Sequence, residues 1–177
     1  MIRYRLFDAW LPFALPAAAL CACTIHSTAT SFEHVQPSAK IAVVAFRDCT
    51  IPEQNDCQGS GNIASSIMAS TLAKDSKFQV VPISRPVAPN QELVDAAAVE
   101  EARVRGFDYV VNGEVNNFYR VAPFTFRSDK VSLSARVIRV STGAVVASAV
   151  ESSESATNFA TPEGMIERVA RKLREAL

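Results

Sequence analysis

Polar and apolar positions alternate most clearly in VSLSARVIRVSTGAVVASAV, from Val131 to Val150. Val131, Leu133, Ala135 and Val137 alternate with Ser132, Ser134 and Arg136, a period of two that buries one face of a strand and wets the other. Ser141-Thr142-Gly143-Ala144 interrupts the pattern as a hairpin turn does, since glycine takes a positive φ without steric cost. The return run, Val145 to Val150, is apolar on both faces, which predicts a strand near the sheet centre. Upstream, Ile41–Phe46 is a short continuous apolar run and predicts a buried strand. Ile63, Ala64, Ile67, Met68, Thr71 and Leu72 make one helical stripe, which Ser60 or Asn62 can cap.

The pattern then predicts a strand over Phe78–Ile83 and a loop broken by Pro82, Pro86 and Pro89. A helix follows over Asn90–Arg105, with Leu93, Ala97 and Val104 on one side and Gly106 stopping it. Asp108–Tyr119 reads as a third strand, whose Asn112, Glu114, Asn116 and Asn117 suit an exposed face or an oligomer contact, the first being preferred. The last element is a helix capped by Thr161, with Pro162 in its first position and Ile166, Val169, Ala170, Leu173 and Leu177 as its stripe. Arg171, Lys172 and Arg174 fall near its C-terminus, where cations complement the helix dipole.

Several of these stretches resemble CsgG-type envelope lipoproteins: KIAVVAF at Lys40–Phe46, GNIASSIMASTLAKDSKFQVV at Gly61–Val81, ARVRGFDYVVNGEVNNF at Ala102–Phe118, and the hairpin with its STG turn. The lipoprotein activators of peptidoglycan synthases and the N-terminal domain of TolB share that fold class. The resemblance implies a single α/β domain over residues 39–177, with a mixed, mostly antiparallel sheet and helices packed on it. It implies architecture more than role, because a fold hosts many functions.

The 177 residues carry no formal net charge and are 49% apolar, which fits one domain with a real core and gives no sign of a nucleic-acid partner. Met1–Ala22 reads as a secretory signal peptide: Arg3 and Arg5 precede an apolar stretch that Pro12 and Pro16 break, too short for a membrane span. Leu20-Cys21-Ala22-Cys23 resembles a bacterial lipobox, making Cys23 the lipidated first residue of the mature chain. Acyl chains there anchor the protein to a membrane. Thr24 in place of Asp after the cysteine implies, by resemblance to enterobacterial lipoproteins, the outer membrane with the domain in the periplasm. Residues 24 to 38 are Ser/Thr-rich and read as a tether, reaching on the order of 50 Å extended and ~20 Å as a coil.

Cys49 and Cys57 are the only cysteines beyond the lipobox. In an oxidising compartment a disulfide is the natural reading, and zinc, the competitor, lacks nearby histidines to complete a tetrahedral site. Asp48, Glu53 and Asp56 in the same loop read as solvated carboxylates. Gly59-Ser60-Gly61-Asn62-Ile63-Ala64 matches a dinucleotide-binding pattern by letter but does not follow a strand directly, so no cofactor is expected. From Lys40 onward there is no histidine, and no serine stands in a G-x-S-x-G context, so the sequence gives no ground for an enzyme.

Phe124 and Phe126, beside Pro123, suit a contact with a partner or the membrane surface, or else cap the core. Residues 120–130 cannot supply two membrane-crossing strands of ~9–11 residues each, which argues against a CsgG-like pore. The expectation is a protein-interaction component of a secretion, flagellar or surface apparatus, with another envelope protein or a second copy as partner. The alternatives are a regulatory activator of a peptidoglycan synthase, against which the short tether counts, and a ligand-binding auxiliary lipoprotein of an envelope transport system.

Overall fold

A computed structural model describes residues 25–52, 55–74, 77–120, 129–155 and 161–177. Six strands form one open, mixed sheet: β1 (Ile25–Ser31), β2 (Lys40–Val44), β3 (Gln79–Ile83), β4 (Tyr109–Tyr119), β5 (Asp129–Arg139) and β6 (Val145–Ser155), in the order β1-β6-β5-β4-β2-β3. Three helices pack on it: α1 (Ser60–Ala73), α2 (Asp95–Val104) and α3 (Pro162–Ala176). The expected fold class, a single α/β domain with a mostly antiparallel mixed sheet, is the one observed. β2 pairs in parallel with β3 and β4, and the other three pairings are antiparallel.

The topology decides which face each helix covers. From β2 the chain steps outward through α1 to β3, then back past β2 through α2 to β4. Parallel crossovers are right-handed, so two steps in opposite directions put their helices on opposite faces. α3 packs beside α1, and the two share one face with the larger core. That core holds Ile41, Val43 and Phe46 from the β2 region, Met68 and Leu72 from α1, alternate residues Val131 to Val137 of β5, and Ile166, Val169 and Leu173 of α3. α2 covers a smaller core of Ala42, Val44, Val110, Ile138 and Val140 on the other face.

α1 seats close to the sheet because its first turn lacks a side chain. A Cβ on Gly61 would lie 2.0 Å from the carbonyl oxygen of Phe46. Gly113 makes the matching concession on β4, where a Cβ would meet the Phe46 ring at 2.8 Å. Neither Ser60 nor Asn62 caps α1. Asp48 does so from across the disulfide loop, accepting from the backbone N–H of Gly59 at 2.8 Å and of Gly61 at 2.7 Å. The third helix starts as expected, with Thr161 Oγ1 accepting from Gly164 N–H at 3.2 Å and Pro162 in its first turn.

Two expectations are corrected, and a third holds in part. The stretch read as a tether contains β1, paired with β6 from Ile25 opposite Ser153 to Ser31 opposite Ala147. α2 starts at Asp95, not Asn90, and buries Ala98, Val99 and Ala102 while Ala97 and Val104 face solvent. β6 is interior to the sheet as expected, flanked by β1 and β5, but it is not buried on both faces: Val145 and Val150 are exposed, with none of the described residues covering them.

Candidate interaction surface

The helices divide the sheet unequally. α1 and α3 cover one face across its width, while α2, only ten residues long, covers the other face over β2, the lower part of β4 and the end of β5. Among the described residues nothing covers the rest of that face: Thr28 and Thr30 of β1, Ser148, Val150, Ser152 and Glu154 of β6, Lys130, Ser132 and Ser134 of β5, and Asn117 of β4. Its side chains are small or polar, and a Lys130–Glu154 ion pair at 3.3 Å crosses between β5 and β6. A shallow cavity of about 170 Å³ lies among Asn117, Lys130, Ser132, Ser152 and Glu154.

A charged border separates the bare region from α2. Arg136 pairs with Asp95 at 3.0 Å, and Asn112, buried on the same face, donates to Asp95 Oδ1 at 2.8 Å and to the Leu93 carbonyl at 2.9 Å. Arg47 pairs with Glu114 at 2.6 Å. Arg85 donates to the carbonyls of Ala45 and Gln91, and burial, then the nearby Arg47 charge, push its guanidinium below the ordinary arginine value. These bonds account for residues 91–94 being non-helical: the carbonyls of Gln91 and Leu93 and the Asp95 carboxylate are bound by side chains from β4, β5 and the loop after β3.

The two sheet edges differ. β3 carries Pro82, which interrupts its backbone donors as edge strands commonly do. β1 has no proline and no Lys, Arg, Asp or Glu, and among the described residues its outer edge pairs with no strand, though Lys172 of α3 takes the Ser27 carbonyl. Phe32, directly after β1, is 67% exposed.

Beneath α3 sits a buried charge that no sequence pattern announces. Glu151 of β6 is fully buried, accepts from Ser153 Oγ, and lies 3.9 Å from Arg168 Nη1. Glu151 Oε2 and Arg168 Nη1 have no hydrogen-bond partner among the described residues. Lys172 donates to the Ser27 carbonyl at 2.8 Å, tying α3 to β1.

At the opposite end of the sheet from the start of β1, a cavity of about 550 Å³ is lined by Ser38, Arg103, Asp108, Tyr109, Arg139 and Ser141 among others. Arg139 is held above the ordinary arginine value by its bonds to Glu33 and Tyr109, and its guanidinium lies 5.8 Å from the Tyr109 ring centre.

Of the residues singled out in the sequence, Cys49 and Cys57 are joined in a disulfide, with Cα atoms 4.9 Å apart. Cys23, Phe124 and Phe126 lie outside the described residues, as does Glu53. Asp48 is buried as the cap of α1, and Asp56 accepts from the Arg120 N–H at 3.2 Å, so neither is a merely solvated carboxylate. Among the described residues no three His, Cys, Asp or Glu side chains gather as a metal would need, and no helix is long and apolar enough to cross a membrane.

No family model matches the chain, and no curated protein does. Solved structures do. The PelC dodecamer from Paraburkholderia phytofirmans is 24% identical, with 85% of this chain and 98% of that one covered and a TM-score of 0.62. A single-substitution variant of the same dodecamer, in another crystal form, is 25% identical, with 88% and 98% covered and a TM-score of 0.63. Lipoprotein GNA1162 from Neisseria meningitidis superposes more loosely, at 21% identity and a TM-score of 0.46 over 68% of this chain and 83% of that one.

Proposed function

We propose that the chain is a lipoprotein of the bacterial outer membrane, anchored through Cys23 with its domain in the periplasm, and that it serves as a homo-oligomeric component of an envelope assembly rather than as an enzyme. The observation that carries this reading is the pair of unlike sheet edges, one blunted by Pro82 and the other, β1, open and uncharged. A surface that fits a different surface on the next copy builds closed rings or filaments, whereas a self-complementary one stops at a dimer. The likeness to the PelC dodecamer supports an assembly of many copies, since nearly the whole of that chain is covered.

The position of β1 weighs against the synthase-activator reading. An activator reaching across the peptidoglycan needs a long tether, and here the chain enters the sheet at Ile25. The ligand-binding reading would need a sizeable apolar cleft, and the 550 Å³ cavity sets Arg103, Asp108 and Arg139 among Pro37, Phe107 and Val140.

The test is the mass of the lipidated protein, purified from its own membranes in mild detergent and measured by light scattering. The expected result is a homo-oligomer of many chains, which Thr28→Lys on the open edge converts towards single chains without unfolding them. A wild-type protein that runs as one chain overturns the proposal.

A further inference from the structure

The hydrogen-bond phase of an edge strand decides which of its backbone groups a neighbour can reach. Phe32 N–H donates to the Val146 carbonyl at 2.8 Å, one step beyond the β1–β6 register that ends at Ser31 opposite Ala147. In an antiparallel ladder, residues bonded to the partner strand alternate with residues that turn both backbone groups away from it. His26, Thr28 and Thr30 therefore face β6, while Ile25, Ser27, Ala29 and Ser31 direct their N–H and C=O groups outward. On β3, Gln79 N–H donates to the Ala39 carbonyl and the Ile83 carbonyl accepts from Ala45 N–H, so Val80 and Pro82 are the residues turned outward.

Each edge lacks one outward group. On β3 it is a donor, since Pro82 has no N–H. On β1 it is an acceptor, since Lys172 Nζ of α3 donates to the outward Ser27 carbonyl at 2.8 Å. Both are ways of blunting a sheet edge, but they differ in kind. Proline removes its donor permanently, whereas the half-buried Lys172 can swing back to water. Among the described residues Lys172 makes no ion pair, so the Ser27 carbonyl is what holds its ammonium over the edge. β1 keeps its place by other means: its seven residues are all in register with β6, and Phe32 extends the ladder.

We propose that Lys172 is a guard on the β1 edge, an autoinhibitory contact that a neighbouring copy of the chain must displace to pair along the strand. The proposal rests on the reading that the chain forms a homo-oligomer through β1, and it adds how that pairing is controlled. In the single chain the ammonium fills the acceptor near the middle of the edge, with Ile25 on one side of it and Ala29 and Ser31 on the other. A strand of the next copy supplies an N–H to the Ser27 carbonyl, and Lys172 turns to solvent. Each contact thus exchanges a charge-assisted hydrogen bond for a neutral one, so pairing waits until copies are crowded together.

The experiment is light scattering over a dilution series of the lipidated protein in mild detergent. Lys172→Met keeps the length of the side chain and removes its donor, and Arg171→Met, at the exposed neighbouring cation, controls for the lost charge. Hydrogen exchange at residues 26, 28 and 30 reports whether β1 stays in the sheet. Lys172→Met should keep its assembly to roughly tenfold lower concentration than wild type with those amides still protected, and Arg171→Met should match wild type. If Lys172→Met dissociates at the same or a higher concentration, or if its β6-facing amides lose protection, Lys172 only fastens β1 and the guard is overturned. If Lys172→Met associates while the wild type stays single at every concentration, the guard stands and the homo-oligomeric reading of the wild type falls. If neither associates at any concentration, both fall.

Discussion

The two faces of the sheet solve the same problem in opposite ways. Under α1 and α3 every alternate residue of β5 from Val131 to Val137 is a buried Val, Leu or Ala, and the helices bring their own apolar stripes. Across the pleat, the same strand offers Ser132, Ser134 and Arg136 to a face that α2 reaches only at one end. A single strand thus serves a dry side and a wet side, and most residues on the wet side are small and hydroxylated rather than long and charged. The covered face holds the fold, while the other face and the outer edge of β1 are the surfaces that the described residues leave available for the proposed assembly.

The largest break in that contrast should come from the covered face. Gly61→Ala pushes a methyl group into the Phe46 carbonyl, which belongs to the backbone and cannot swing aside. A loss of about 3 kcal/mol is expected in chemical denaturation, at the upper end for overpacking. A change of similar size on the bare side, such as Ser132→Ala, should fall within about 0.5 kcal/mol of wild type.

Next comes the buried pair beneath α3. Arg168→Ala leaves the Glu151 carboxylate buried with Ser153 alone, and should cost about 2–3 kcal/mol, below the usual range for a broken buried pair because Arg168 is partly solvated. Replacing both partners, with Glu151→Leu and Arg168→Met, should recover most of that loss. If the double variant is no more stable than the single one, the pair is not what limits the packing of α3.

The smallest effect is electrostatic and joins the two helices of the covered face. Lys74 bonds the Glu167 carboxylate at 2.5 Å and, by that bond and its charge, holds it below the ordinary carboxylate value. A depressed folded pKa means a contribution that is full above the unfolded carboxylate value and is lost as pH falls through the folded one. Glu167→Gln should therefore lower the melting temperature slightly at pH 7 and leave it unchanged near pH 3, as read by thermal melts at the two values.

Much of this architecture is legible in the sequence. The hairpin of β5 and β6, the stripe of α1, and the Thr161-Pro162 start of α3 all follow from local period and capping. β1 is hidden because hydropathy contrast is what marks a strand, and Thr28 and Thr30 alternate with Ser27 and Ala29 with little contrast between them. Its strand character comes from β6, more than a hundred residues later, and from Lys172 of α3. Asp48 escapes a local reading for a related reason. Its partners are eleven and thirteen residues away, brought back by the disulfide loop, and no local pattern marks a carboxylate as a distant cap. The start of α2 is displaced by competition: Asn112 and Arg85 claim the carbonyls of Leu93 and Gln91 before a helix can. Glu151 carries no signal, since a carboxylate in VESSES reads as solvent-facing until α3 is laid over it.

The most direct test of the account is hydrogen exchange at the backbone of β1 in the lipidated protein, in detergent at a concentration where the assembly is intact. About half of its amides are bonded to β6 and half point outward. The account predicts that the outward amides of residues 25–31 are protected in the assembly and become exchange-competent in Thr28→Lys, while the amides facing β6 stay protected in both. Outward amides that exchange in the intact wild-type assembly as fast as those of an open chain would contradict it, because the edge on which the proposed assembly depends would then be meeting only water.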